Sequence, residues 1–385
     1  MRKWYTYIIM LATVLFGSCN LEDTLFPEQE CETEKEAVNV RLILSMMEGR
    51  GLSRAPLTNN PTSEDYLDEE PLGNEYYINP YDVEVLIFNA NTNVFVERAT
   101  MVRATPTDNY HEYQLDGTLT EVNGETNYHV VLLANLHGSS YCNNFTTPTT
   151  GTTMSTFLEG LTYTSYNAAF TGKLLEEDST ERIPMWGITT TKLTDGTTIS
   201  LNLLRSMAKI RVNLELEADG YTLSKVTLNN ANPGGFFTPS MEKGITTAGI
   251  TANVSEVRIP EGLTQLESLA FEKVDDSYII YVPECYTFSE DNEGAKTAET
   301  YITVELKDNG GNVVDLEGND KLYFREYRAT DETAGIVNGS FFDIVRNYFY
   351  DYTITAVNTS SEEVSLNIQY QVMGWTSVTN PNLTF

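Results

Sequence analysis

Residues 38–46 read VNVRLILSM, and the fold turns on how this stretch is read. Val38, Val40, Leu42, Leu44 and Met46 fall on one side of an extended chain; Asn39, Arg41, Ile43 and Ser45 fall on the other. A side-chain period of two with one wholly apolar side predicts a β-strand with one buried face. Working outward, residues 82–89 (DVEVLIFN) and 128–135 (YHVVLLAN) read as strands, the second buried on both faces. Residues 198–204 and 208–216 follow a turn at Asp195-Gly196, and in the latter Ile210, Val212, Leu214 and Leu216 share a face. Residues 278–282, 301–306 and 321–325 read as further strands. Near the end, Tyr350, Tyr352, Ile354 and Ala356 alternate up to a turn at 358–362, and Val364, Leu366, Ile368, Tyr370 and Val372 alternate after it, which predicts a hairpin.

One short helix is expected at 154–160. Many short strands, 23 tyrosines and few helical periods predict an all-β protein of two tandem β-sandwich (transthyretin-like/Greek-key) domains with short helices in loops. No strong internal sequence repeat is present. The expected division is residues 55–198 and 199–385.

The N-terminus predicts export. Arg2 and Lys3 precede an apolar run over residues 4–17 that is shorter than the roughly 20 residues of a membrane-spanning helix and fits a signal peptide, residues 1–18. The run ends Phe16-Gly17-Ser18-Cys19, which resembles a lipobox with Cys19 as the acylated residue, although Phe16 stands where leucine is usual. Residues 20–36 are acidic and lack an apolar period, as a flexible tether does. The net charge of −31 repels nucleic acid, because phosphate binding rests on Lys and Arg. Of the four cysteines, Cys19 is the lipidation candidate, Cys31 lies in the tether, and Cys142 and Cys285 are far apart in the body, where separate thiols are favoured over a bridge.

No catalytic constellation emerges. The three histidines, His111, His129 and His137, stand in no metal-ligand spacing. GxSxG, Walker and GxGxxG signatures are missing, no cofactor site is expected, and the acidic pairs fall in loops. The sequence therefore predicts structural material rather than an enzyme.

Two readings of residues 38–46 stay open: the permanent first strand of a sandwich, or a plug in a disposable leader. Burying its apolar side chains is worth roughly 1.5–3 kcal/mol each, which a disposable leader would need only if it filled a groove. The order of parts then becomes informative: lipobox, VNVRLILSM, an Arg-Ala pair at Arg54-Ala55 in a Gly/Pro/acid-rich stretch, DVEVLIFN, HVVLLAN, LLRSMAKIRV, and RNYFYDYTIT leading through LNIQYQV to Trp375 and a terminal Phe385. This order resembles the precursors of the major fimbrial subunits, or fimbrillins, of Bacteroidales type V pili. The resemblance implies a lipoprotein carried to the outer membrane and cut by an Arg-specific protease after Arg54, with Arg50 as a second candidate, so that residues 19–54 form a propeptide containing the plug. It further implies that the C-terminal segment of another copy or another fimbrial subunit fills the vacated groove, here Trp375, Val378, Leu383 and Phe385. Pro381 in that segment lacks a backbone donor and must sit at an edge or bulge. The implied location is the outer membrane and then the cell-surface fimbria, with adhesion or biofilm formation as the role and an unidentified receptor. Alternatives are an uncleaved anchor, accessory or tip subunit of the same pilus, or a glycan-binding surface lipoprotein using Trp186 and the Tyr163–Tyr166 region as sugar platforms.

Overall fold

The computed structural model describes residues 36–46, 72, 74–108, 112–137, 145–164, 166–167, 169–176, 179–215, 220–239, 245–246, 249–250, 257–287, 300–316, 318–329, 336–341, 343–359 and 364–374. From Ala37 onward the chain forms one compact unit, and it is mostly β, in two sandwiches.

The first sandwich is made by β1 (Val38–Met46), β2 (Val83–Asn89), β3 (Phe95–Arg98), β4 (Thr100–Met101), β5 (Thr105–Pro106), β6 (Glu112–Leu119), β7 (Asn127–Ala134), β9 (Met185–Lys192) and β10 (Thr197–Arg205); β8 (Thr162–Tyr163) lies apart from it. The strand order is β3-β2-β7-β9-β10-β1-β6-β4. Two strands turn its corners. β3 pairs with β2 and β4 pairs with β6, and only Ala99 separates them. β10 runs parallel to β1 from Thr197 to Leu203, then passes to β9 through Leu204 and Arg205. Strands that change sheet in this way close the corners of a sandwich.

The expected helix is α1 (Met154–Glu159), capped by the Thr153 side chain, which accepts from the Thr156 N–H. A second, α2 (Ala169–Leu175), is not anticipated by the sequence. It exists to bury Phe170, Thr171 and Leu174, and the Thr171 hydroxyl accepts from the Tyr281 N–H at 3.1 Å.

The second sandwich follows β10 across Ser206 and Met207. One sheet contains β11 (Ala208–Leu214), and the other contains β12 (Tyr221–Ala231). Between them and the later strands stand three short ones, β13 (Gly235–Phe236), which pairs with β8, and the β14 (Ile245–Thr246) and β15 (Gly249–Ile250) hairpin. Next come β16 (Leu266–Ala270), β17 (Glu272–Val274), β18 (Ser277–Val282), β19 (Tyr301–Asp308), β20 (Lys321–Tyr323), a hairpin of β21 (Arg325–Ala329) and β22 (Ile336–Phe341), β23 (Tyr348–Thr359) and β24 (Val364–Gly374). The sheets are ordered β17-β18-β11-β23-β24 and β16-β12-β19-β20. The β23–β24 hairpin expected from alternation is present, with Tyr348 opposite Gly374 and Thr359 opposite Val364.

The two sandwiches share a topology that no sequence repeat announces. β1 lies between antiparallel β6 and parallel β10. β11 lies between antiparallel β18 and parallel β23. In each, the first strand of the sandwich is an interior strand that pairs in parallel with a much later one.

A buried polar cluster binds the start of the body to the second sandwich. Lys209 Nζ is 2.8 Å from Glu75 Oε1, and both side chains are enclosed. The Tyr281 hydroxyl donates to the same carboxylate oxygen. Arg205 Nε donates to the Glu75 carbonyl at 3.2 Å, Arg205 Nη1 to Asn347 Oδ1 at 3.2 Å, and the guanidinium lies over the Tyr76 ring. A separate enclosed pair, Arg346 and Glu284, is 2.6 Å apart. Buried charge is tolerable only when paired and hydrogen-bonded in this manner.

Candidate functional site

β1 is the element around which a function can be built. Its register pairs Val38–Ser45 with Leu119–Glu112 of β6 and Val40–Met46 with Thr197–Leu203 of β10. Both of its backbone edges are therefore occupied. Its inward side chains pack against those of its neighbours: Leu42 between Leu115 and Ile199, Leu44 between Tyr113 and Leu201, Met46 beside Leu203. Leu42 and Leu44 are fully enclosed, Val40 and Met46 nearly so, and Val38 packs on the rim of the same core. Tyr113 is held in place at the groove by the Ile78 N–H, which donates to its hydroxyl, and burial pushes its phenol up.

The outer face is secured by polar contacts to both neighbours. The Asn39 backbone N–H and side-chain amide both donate to Asp195 Oδ1, at 3.0 and 2.8 Å, while the Gly196 N–H donates to the Asn39 carbonyl. Gly196 has φ of +78°, so the Asp195-Gly196 turn that presents this carboxylate needs glycine's freedom. Arg41 Nε donates to Asp116 Oδ1 on β6 at 2.7 Å, and Ser45 Oγ to Asn202 Oδ1 on β10 at 2.9 Å. The Arg41 hydrogen bond holds the Asp116 carboxyl below the usual range, with Gln114 assisting. The Asn39 hydrogen bonds do the same for Asp195. These contacts are solvent-exposed, where water and salt screen them and leave each a small contribution.

Along the chain, residues 47–71 follow β1 and lead to the remainder of the body. Those residues, including Arg50, Arg54 and Ala55, lie outside the described residues, as do Cys19 and the terminal Trp375, Val378, Leu383 and Phe385. β24 ends at Gly374, directly before that terminal segment, as the last strand in its sheet order.

Two expectations require comment. Trp186, Tyr163 and Tyr166 are at most 2% exposed, so they cannot serve as sugar platforms. They are core residues: the Tyr163 hydroxyl donates to the Ser206 carbonyl and the Tyr166 hydroxyl to the Tyr281 carbonyl. Cys285 is a buried free thiol whose burial raises its pKa to about 12, and Cys142 lies outside the described residues. His129 is buried between Thr190 Oγ1 and Asn93 Oδ1. His137 pairs with Asp82 at 2.7 Å. Sequence reasoning missed the Glu75 cluster. Its signal was the cations Arg205 and Lys209 placed among apolar neighbours in LLRSMAKIRV.

Comparison with known proteins gives the class. Residues 79–381 match the model of the family described as fimbrillin-A associated anchor proteins Mfa1 and Mfa2. The chain belongs to that family: it is a fimbrial subunit of the type V pilus group, a non-enzymatic structural protein of cell-surface fimbriae that works with other fimbrial subunits. Solved structures similar to it include the tip fimbrial protein Mfa3 from Porphyromonas gingivalis (14% identity, TM-score 0.48, covering 88% of this chain and 100% of that one). Another is the fimbrial anchor protein Mfa2 from the same organism (10% identity, TM-score 0.36, covering 89% of this chain and 100% of that one). No curated protein sequence matches.

Proposed function

We propose that this chain is the exported lipoprotein precursor of a structural fimbrial subunit, acylated at Cys19 and cut after Arg54. Its β1 holds the place later taken by residues 375–385 of a neighbouring subunit, with Trp375, Val378, Leu383 and Phe385 as the pocket-filling side chains. The mature body is residues 55–385, and its division falls after β10, at Ser206 and Met207, rather than at the expected residue 198. The observation that carries this reading is β1 itself: an interior strand, with its apolar face enclosed, at the far N-terminal side of a segment containing two arginines.

Removal of an interior strand uncovers two facing rows of backbone donors and acceptors together with an apolar trough. That combination is what strand addition from another chain satisfies. While β1 is tethered, its effective concentration at the groove is of millimolar order, and a donor from another molecule competes poorly. Proteolysis lifts that advantage and so sets the moment of assembly. The lipid at Cys19 then leaves with the plug, having served for delivery.

A second reading, an anchor subunit that keeps both lipid and β1, is favoured by the description of the matched family. N-terminal sequencing of protein sheared from the cell surface separates the two. A start at Ala55 is the outcome expected of a polymerising subunit. A start at acylated Cys19 would reject cleavage in favour of the anchor. Deleting residues 375–385 is expected to abolish a heat-sensitive polymer ladder while leaving folded monomer.

A further inference from the structure

The outer face of the sheet β16-β12-β19-β20 carries a trough lined largely by polar side chains. On β19 the inward positions Ile302, Val304 and Leu306 are buried, so Tyr301, Thr303 and Glu305 point outward. Across the ladder on β12, Asn229, Thr227 and Lys225 stand opposite them. After β19 the chain folds back along its edge, with Val314 donating to the Leu306 carbonyl and Val304 to the Asp320 carbonyl. Asp315, Leu316 and Gly318 form a wall beside that face. Between wall and sheet lies a cavity of about 470 Å³ lined by Lys225, Thr227, Thr303, Glu305, Asp315 and Asp320, among others. Its size falls within the ~300–1,000 Å³ of small-ligand sites.

The lining is oriented by hydrogen bonds from outside the cavity. Ser224 Oγ donates to Glu305 Oε1 at 2.6 Å, and Asn229 Nδ2 donates to Thr303 Oγ1 at 3.2 Å. Next to Thr303 on the same face is Tyr301, whose ring centroid lies 6.0 Å from that of Tyr323 on β20, with Lys321 4.8 Å from the Tyr301 centroid. Both tyrosines are half-buried rather than core residues. Among the described residues no group of three or more His, Cys, Asp and Glu could hold a metal ion.

Carboxylates spread along a trough accept hydrogen bonds from hydroxyl groups, threonine hydroxyls both donate and accept, and lysine donates. An adjoining aromatic pair offers apolar surface to the C–H face of a sugar ring. Excess carboxylate on a chain of net charge −31 repels uronic or sialic acids. We propose that this trough binds a neutral oligosaccharide, with Thr227, Thr303, Glu305 and Asp320 bonding its hydroxyls and Tyr301 and Tyr323 covering a ring face. The site lies in the second sandwich, away from the β1 groove, and stands whether or not Arg54 is cut.

The test is calorimetric titration of the full soluble chain, residues 20–385, with maltohexaose, cellohexaose and mannohexaose, and with hexagalacturonate as the acidic counterpart. At least one neutral probe is expected to bind with Kd of about 1 mM or tighter, the weak end of measurable recognition, and hexagalacturonate at least tenfold more weakly. Tyr301→Ala should weaken the neutral probe by tenfold or more. The near-isosteric pair Glu305→Gln with Asp320→Asn, which preserves the fold should Tyr301→Ala disturb it, should weaken it by at least fivefold. Tyr81→Ala, at an exposed tyrosine of the first sandwich, should leave binding unchanged. Absence of binding by all three neutral probes, equal binding of hexagalacturonate, or binding indifferent to Glu305→Gln with Asp320→Asn would overturn the proposal.

Discussion

β1 and β11 stand at equivalent positions in their two sandwiches, yet they are secured by different means. β11 follows β10 after only Ser206 and Met207, and its Lys209 is locked to Glu75 beneath the first sandwich. On its outer face Lys209 is therefore buried, and Arg211 and Asn213 are half-buried. Its Arg211 makes a two-pronged ion pair with Asp351 of the parallel partner β23, donating from Nε at 2.9 Å and Nη2 at 2.7 Å. β1 makes the same kind of ladder, but its outer face is held by exposed contacts and its link to the body is the long stretch from residue 47 onward. The cores are alike, with Val40 and Leu42 answering Ile210 and Val212 as enclosed side chains. β1 is thus as fully paired as β11 and differs from it in an exposed outer face and a long following segment; on the proposal above, that difference is what makes it separable.

The largest expected effect tests the permanence of β11. Glu75→Ala leaves Lys209 buried without its carboxylate, and breaking a buried pair in this way costs about 3–5 kcal/mol. The loss, read by chemical denaturation, should be equal in precursor and in chain starting at Ala55. Next comes Leu44→Ala in β1, expected to cost the uncut precursor about 3 kcal/mol as a core truncation. The polymer should not register that substitution at all if β1 has left it. Equal destabilisation of precursor and polymer would show that β1 remains, erasing the contrast with β11.

A smaller effect concerns the exposed face. Arg41→Ala should lower precursor stability by under about 1 kcal/mol, and by restricting the change to β1 it should mainly speed departure of the plug after cleavage. Acid should act through the same contacts. Asp116 and Asp195 titrate below the ordinary aspartate value of 3.8 because of Arg41 and Asn39 respectively. Their contribution is thus complete above about pH 5 and is lost as pH falls through 3.8 and the lowered values. Plug release, followed by the elution of the N-terminal fragment from cleaved precursor, should be flat from pH 7 to about pH 5 and rise below pH 4. The double variant Asp116→Asn with Asp195→Asn should remove the rise.

Much of the fold is legible in the sequence where a strand has one wet face. β1 and the β23–β24 hairpin announce themselves through alternation, and β7 through an unbroken apolar run. β12 does not, because a bulge between Leu223 and Lys225 shifts its phase and moves Val226 and Leu228 off a simple period of two. α2 is hidden because one glycine and one threonine interrupt a seven-residue helix that tertiary contacts must complete. The glycan-binding alternative needed Trp186, Tyr163 and Tyr166 to be exposed, whereas all three are core residues, the two tyrosine hydroxyls donating to buried carbonyls. The parallel partner of β1 was beyond reach, since pairing residue 40 with residue 197 is a property of the topology and leaves no local mark.

The most direct test of the central claim is made on purified precursor cut after Arg54 and offered a synthetic peptide of residues 375–385. The fragment carrying β1 should co-elute with the body in the absence of peptide and depart from it in proportion to the peptide added, with the peptide retained in its place. A fragment that stays bound at saturating peptide, or that leaves at the same rate without it, would contradict the view of β1 as the occupant of a groove meant for another subunit's strand.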